Sequence, residues 1–318
     1  MIDTAALLLP AIRWDATHGF DAARPAIERA LSLGVGGFIL FGGPAEAVRE
    51  LTRELHARSR HPLLVGADLE RGAGQQFVGL TGLPPLAAVA SLGDVHAVRR
   101  AAAITAREAR RLGINWDYAP VCDLDVEPDN PIVGTRSLGG DPDTVAALAA
   151  EWIDACQSQG VLACAKHFPG HGRTRGDSHM ELPVVDAPAD VLRAQDLVPF
   201  RAAIDAGVAS IMSAHVAFPA LDASGQPATL SRAILTDLLR RELGFDGLVV
   251  TDAMIMEGVL GGGEHEAAVR ALGAGCDLLL YPEDLPGVAR AVDDALRAGR
   301  LDGERIARSL ERRRKWAE

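Results

Sequence analysis

Residues 160–183 read GVLACAKHFPGHGRTRGDSHMELP, and the way this stretch is taken decides the fold. Its start, up to Ala165, is a continuous apolar run. Lys166, His167, His171, Asp177 and His179 follow, set among glycine, proline and arginine, which build no regular element. A continuous apolar run of this length fits a strand covered on both faces, as in a parallel sheet flanked by helices. The polar part is then the loop leaving the carboxyl end of that strand, crowded with groups able to move protons.

Similar runs occupy 7–12, 35–41, 62–68, 114–122, 161–167, 209–215, 247–252 and 276–281. Between them, apolar residues recur with helical spacing at 22–33, 44–59, 94–112, 141–159, 188–206, 231–243, 263–274 and 285–298. A charged stretch, 302–316, forms a last helix. Gly34, Gly113, Gly160, Gly207, Gly244 and Gly275 each follow a helical pattern and suit left-handed caps. Eight strands alternating with helices predict an α/β fold, a (β/α)8 TIM barrel, with residues 1–318 as a single domain. A doubly wound open sheet is the competing architecture. The longest irregular stretches, 70–91 and 123–140, each follow a strand, where a barrel builds its functional face.

The net charge of −11 offers no basic face to nucleic acid or an anionic membrane. No run reaches the ~18–20 apolar residues of a membrane span. Residues 1–20 lack a basic start and a cleavable apolar core, so a cytoplasmic protein is expected. Cys122, Cys156, Cys164 and Cys276 are scattered without a CxxC and read as buried free thiols. Neither GxGxxG after a strand nor GxxxxGK[ST] is present, which leaves a nucleotide-phosphate cradle unsupported.

Ionisable residues gather where the apolar runs end. These are Asp68 and Glu70, then Asp123, Asp125 and Arg136, then Lys166 and His167, then His215, and finally Asp252 and Glu257. An unpaired buried charge is costly, so charges at one end of many strands imply a shared polar site. Carboxylates, arginine, lysine and histidine in a ring suit a ligand rich in hydroxyls.

Three chemistries fit residues 166–179. A loop zinc site would use His167, His171, Asp177 and His179; the spacing of His167 and His171 would suit a helix, but Pro169, Gly170 and Gly172 exclude one. A structural role would have histidines, His171 above all, bonding backbone carbonyls. A proton-transfer role would pair Asp177 with His179, since residues i and i+2 of an extended segment point the same way.

The string KHFPGHGRTRGDSHMELP, with GLVVTDAMIMEGV downstream, resembles family 3 glycoside hydrolases. More narrowly, it is similar to the single-domain β-N-acetylglucosaminidases of peptidoglycan recycling, the NagZ type. Further matches are GADLERGAGQQF at 66–77, APVCDLD at 119–125, NPIVGTRSLGGDP at 130–142, SIMSAHVAFPALD at 210–222 and RRELGFDG at 240–247. The resemblance implies a retaining exo-glycosidase acting on terminal β-linked N-acetylglucosamine. It implies Asp252 as the nucleophile that forms a glycosyl-enzyme, and His179, assisted by Asp177, as general acid/base. Asp68, Arg136, Lys166 and His167 would bind sugar hydroxyls. The implied partner is a small carbohydrate, taken by a monomer with no metal and no organic cofactor.

A histidine in place of the second carboxylate titrates near neutrality and avoids repelling the nucleophile. The chain departs from the family where E-G-G-R-V becomes Glu70-Arg71-Gly72-Ala73-Gly74, and where S-D-x-L/M becomes T-D-A-M. These changes bear on substrate preference and leave the catalytic pair intact. A β-glucosidase or a phosphorylase of the same family, a catalytically inactive sugar-binding barrel and a zinc hydrolase remain as alternatives.

Overall fold

Pro10 divides the first apolar run of the computed structural model, which describes residues 3–178 and 182–318. With no N–H to give a ladder, proline parts β1 (Leu8–Leu9) from β2 (Ala11–Arg13). The next strands are β3 (Gly37–Phe41), β4 (Leu64–Ala67), β5 (Trp116–Asp117), β6 (Leu162–Phe168), β7 (Ser210–Ser213) and β8 (Leu248–Thr251). From β2 to β8 they lie side by side in chain order as a parallel seven-stranded sheet.

The last strand, β9 (Leu279–Leu280), pairs with β1, Leu8 opposite Leu279 and Leu9 opposite Leu280. A bridge from Val250 to Leu278 and a 3.1 Å bond from the Thr251 N–H to the Leu278 carbonyl join β8 to the entrance of β9. The parallel seven-stranded sheet is thus curled, and β1 with β9 forms a separate two-stranded pair.

The helices fall where the periodicity places them, except for a short one, Leu86–Ala90, inside the stretch 70–91 expected to be irregular. They are α1 (Arg24–Leu33), α2 (Ala45–Arg58), α3 (Leu86–Ala90), α4 (Val95–Arg111), α5 (Pro142–Gln157), α6 (Ala189–Val191), α7 (Val198–Asp205), α8 (Glu264–Ala274), α9 (Leu285–Arg297) and α10 (Gly303–Ala317). The segments Leu192–Asp196 and Ala233–Glu242 are π-helical. Asp94, Asp141, Asp284 and Asp302 cap their helices by accepting backbone N–H groups of the first turn. Gly34 ends α1 in the left-handed region, φ +84°, as expected. Gly275 does not: its φ is +157°, and glycine is needed there for space, since a Cβ would stand 2.4 Å from the Leu235 Cβ.

The predicted strand 114–122 keeps order as a ladder only at Trp116–Asp117. Pro120 has no donor, so the segment follows β6 through single bonds, Cys164 N–H to Ala119 O at 2.8 Å and Cys122 N–H to Lys166 O at 2.7 Å. The apolar core lies between sheet and helices and includes all four cysteines as free thiols. Trp116 packs on Tyr118 with ring centres 4.9 Å apart and donates its Nε1–H to Ser210 Oγ at 2.7 Å. Among the described residues no helix is long and apolar enough to cross a membrane.

Asp277, 1 % exposed, fastens three layers at the foot of β9. It accepts from the Val249 N–H at 2.9 Å, from Ser309 Oγ at 2.6 Å and from the Arg240 guanidinium. Asp277 thus ties β8, α10 and the helical segment Ala233–Glu242 in one knot. Asp277→Ala strands a buried guanidinium, and a loss of about 3 kcal/mol in urea unfolding is expected. A midpoint unchanged from wild type would contradict that role.

Candidate active site

The carboxyl ends of the strands surround a cavity of about 380 Å3, within the range of small-molecule sites. Its wall includes Asp68, Glu70, Arg136, Lys166, His167 and Asp252. All four residues expected to bind hydroxyls and the expected nucleophile are therefore brought to one place.

On one side stands a charge cluster. Lys166, at the end of β6 and 1 % exposed, donates to Asp68 Oδ1 at 2.7 Å and lies 2.7 Å from Glu70 Oε1. Arg136 grips Glu70 with two bonds, Nη2 to Oε1 at 2.8 Å and Nε to Oε2 at 3.0 Å. Burial works against the charged form of Glu70, but the charges of Lys166 and Arg136 outweigh it and hold the carboxyl well below the usual carboxylate range. Burial likewise disfavours the Lys166 ammonium, and Asp68 and Glu70 overcome it, so its pKa is raised. Glu70 and Lys166 are thus both held in their charged forms, and the hydrogen bonds of the cluster hold each donor and acceptor in place for a polyol.

On the other side stands Asp252, directly after β8, its side chain 18 % exposed and so open to a ligand. Oδ1 accepts the Ala253 N–H at 2.7 Å. Oδ2 faces His167 Nε2 at 4.0 Å. Burial pushes this carboxyl upward, but His167, His215 and the Ala253 N–H together hold it below its ordinary value. Asp252 is thus an ionised, partly exposed carboxylate aimed at the cavity, which is the state a nucleophile needs.

His167 is fixed from behind. Asp123, wholly buried, accepts from His167 Nδ1 at 2.7 Å and from the backbone N–H groups of His167 at 3.1 Å and His171 at 2.6 Å. A carboxylate only accepts, so Nδ1 carries the hydrogen and Nε2 is presented to Asp252. The Lys166–His167 peptide is cis.

The loop after β6 is anchored on several sides. Arg173 Nε bonds both oxygens of Asp196, at 3.0 and 2.8 Å, and Arg175 Nε bonds Glu127 at 2.9 Å. His171 is buried and works structurally, but through hydroxyls and not carbonyls. Its Nδ1 meets Thr174 Oγ1 at 2.8 Å and its Nε2 meets Ser178 Oγ at 3.1 Å. Burial pushes its pKa down, which keeps the ring neutral for both bonds. Ser178 lines the cavity, and its carbonyl accepts the Gly258 N–H at 3.2 Å from the loop that follows Asp252. Asp177 is half-buried, and His179 lies outside the described residues.

The ring of strand-end charges needs correction in four places. Asp123 and His215 sit behind the cavity; His215 bonds Thr229 Oγ1 at 2.8 Å and Ala253 O at 3.1 Å. Asp125 and Glu257 are exposed and take no part in the wall, because the chain has already turned outward there. Arg71 is also exposed and does not replace the absent arginine of its loop; Gln75 and Gln76 face the cavity instead. Arg13, Phe41 and Tyr281 complete the wall without having been foreseen. All three stand where an apolar run ends, the signal that picked out the other residues.

Known proteins resemble the chain over most of its length. The glycosyl hydrolase family 3 N-terminal domain matches residues 18–314. A β-N-acetylglucosaminidase/β-glucosidase of Cellulomonas fimi is 38 % identical over 290 residues, covering 88 % of this chain and 51 % of that protein. A β-hexosaminidase of Thiobacillus denitrificans is 40 % identical over 264 residues, covering 78 % and 72 %. Among solved structures, a family 3 β-N-acetylglucosaminidase from Paenibacillus superposes with a TM-score of 0.91 at 37 % identity, covering 99 % of this chain and 62 % of that one. The chain thus spans about half the length of the Cellulomonas relative.

The depressed pKa of Glu70 gives a pH signature. A carboxyl lowered on folding contributes stability that is fully present above its unfolded value, about 4.3, and is lost as pH falls through the folded value. Glu70→Gln is expected to destabilise by about 2 kcal/mol at pH 7. The gap to wild type should shrink steadily in melts below about pH 4. A gap constant down to strong acid would contradict the assignment.

Proposed function

The chain belongs to glycosyl hydrolase family 3, and from that premise we propose that it is a retaining exo-β-N-acetylglucosaminidase. Its substrate is a terminal β-linked N-acetylglucosamine, as the names of its relatives suggest. The observation that carries the reading is Asp252, an ionised carboxylate opposite a charge-paired polyol cluster in one cavity.

The sugar's hydroxyls meet Asp68, Arg136, Lys166 and His167. An Asp252 oxygen forms a bond to the anomeric carbon as the bond to the leaving oxygen breaks, and His179 gives that oxygen its proton. Water then attacks the glycosyl-aspartate, His179 takes a proton from it, and the Asp252 carboxylate departs. Two inversions give net retention. Asp177, two residues before His179, orients the imidazole. The position of Ser178 on the cavity wall, held by His171 and Gly258, supports this placement of the proton-transfer segment.

The same reading takes the fold as a closed (β/α)8 barrel in one domain over residues 1–318. The pairing of β1 with β9, the Val250–Leu278 bridge and the single apolar core support it. Four unpaired cysteines suit a reducing compartment such as the cytoplasm.

Turnover of a nitrophenyl β-N-acetylglucosaminide tests the reaction, with the β-glucoside as its counterpart. A protein active on the glucoside and inert on the N-acetyl sugar would contradict the substrate. Asp252→Ala should lower kcat at least about a thousand-fold. His179→Ala should harm an alkyl glycoside far more than a dinitrophenyl one, because only the poor leaving group needs a proton. Equal losses on both would contradict the acid role.

A further inference from the structure

We propose that Arg13, Phe41 and Tyr281 form a subsite that recognises an oxyanion beside the reacting bond, a carboxylate on the leaving group or an incoming phosphate. The inference rests on the glycosidase reading for the position of the sugar. Three arginine or lysine side chains line the wall, Arg13, Arg136 and Lys166. Lys166 is matched by Asp68 and Glu70, and Arg136 by Glu70. Arg13 makes no ion pair among the described residues, and its one hydrogen bond there joins Nε to the Tyr281 hydroxyl at 2.9 Å.

That guanidinium is nonetheless held in place. Arg13 ends β2 directly opposite Phe41 of β3, and its Cζ lies 3.9 Å over the Phe41 ring and 5.3 Å from the centre of the Tyr281 ring. Tyr281 directly follows β9, its N–H bonded to Leu9 O at 2.8 Å, and the two rings lie 5.8 Å apart. Its φ of +53° makes it the one non-glycine among the described residues in the left-handed region, a conformation kept where the surroundings impose it.

With one face on aromatic rings and Nε spent on a hydroxyl, the two terminal nitrogens are left as a fork for a bidentate oxyanion. N-acetylglucosamine carries no charge, so the sugar in the cavity does not call for this cation. Its partner is an anion on the other participant in glycosyl transfer, either the departing group or the acceptor.

The test compares kcat/KM for 3-carboxyphenyl and 3-carbamoylphenyl β-N-acetylglucosaminides, with and without inorganic phosphate. Arg13→Gln is expected to lower the acid-to-amide ratio about ten-fold relative to wild type. Arg13→Lys should restore part of it, and Tyr281→Phe should remove part of it. A ratio unchanged by Arg13→Gln, together with loss of phosphate-dependent sugar 1-phosphate formation, would assign the oxyanion to phosphate. A ratio and a phosphate response both identical to wild type, or an equal loss on both glycosides, would overturn the subsite. Calorimetric binding of the same two compounds to Asp252→Asn, with Arg13 or Gln at that position, gives the ratio without turnover. Absent turnover would then count against the proposed reaction, and the binding ratio would still decide the subsite.

Discussion

One buried carboxylate, Asp123, carries the geometry on which the site depends. It accepts from the backbone N–H groups of His167 and His171 and from the His167 ring. Its burial alone would favour the neutral acid, yet these partners, His167 foremost, keep it ionised. The end of β6, the start of the loop beyond it and the direction of one imidazole are set by a single charge. Without it, His167 loses its tautomer and its aim at Asp252, and the loop that leads to Ser178 loses its first fixed point.

The cavity separates two electrostatic tasks. Near β4 and β6, Asp68, Glu70, Arg136 and Lys166 neutralise one another, so this side offers directed hydrogen bonds without net pull on a charge. Near β8, Asp252 is a carboxylate whose nearest neighbours are imidazoles and a backbone N–H. A second carboxylate there would raise its pKa through like-charge repulsion. The proposed use of histidine as the partner acid, implied by the family resemblance, fits a carboxylate kept ionised in a partly closed site. The Arg13 platform adds a third region, the one place on the described wall where positive charge is unmatched.

Much of the fold is legible in the sequence because strands buried on both faces leave continuous apolar runs, and helices between them keep their own period. Boundaries fail where proline removes a ladder bond, at Pro10 and Pro120. The β1–β9 pair and the Val250–Leu278 bridge rest on residues whose pairing no local pattern announces. In the site, Asp68, Lys166, His167 and Asp252 are legible because a charge ends an apolar run. That same rule marks Asp125 and Glu257 equally, since it reports where a strand stops and not where the chain turns next. Glu70 stands in the same string as Asp68, but its role as the bridge between Lys166 and Arg136 depends on partners far along the chain. Phe41 and Tyr281 passed unnoticed because an aromatic residue at the end of an apolar run looks like more core.

The proposed reaction turns on Asp252 forming a bond to the sugar. Incubating the protein with an activated 5-fluoro-β-N-acetylglucosaminyl fluoride and mapping the adduct by peptide mass spectrometry examines that bond directly. The expected result is one glycosyl unit on the peptide that holds Asp252, with label lost as activity returns. A label on another residue, or sustained turnover of substrate with no label at all, would contradict the account.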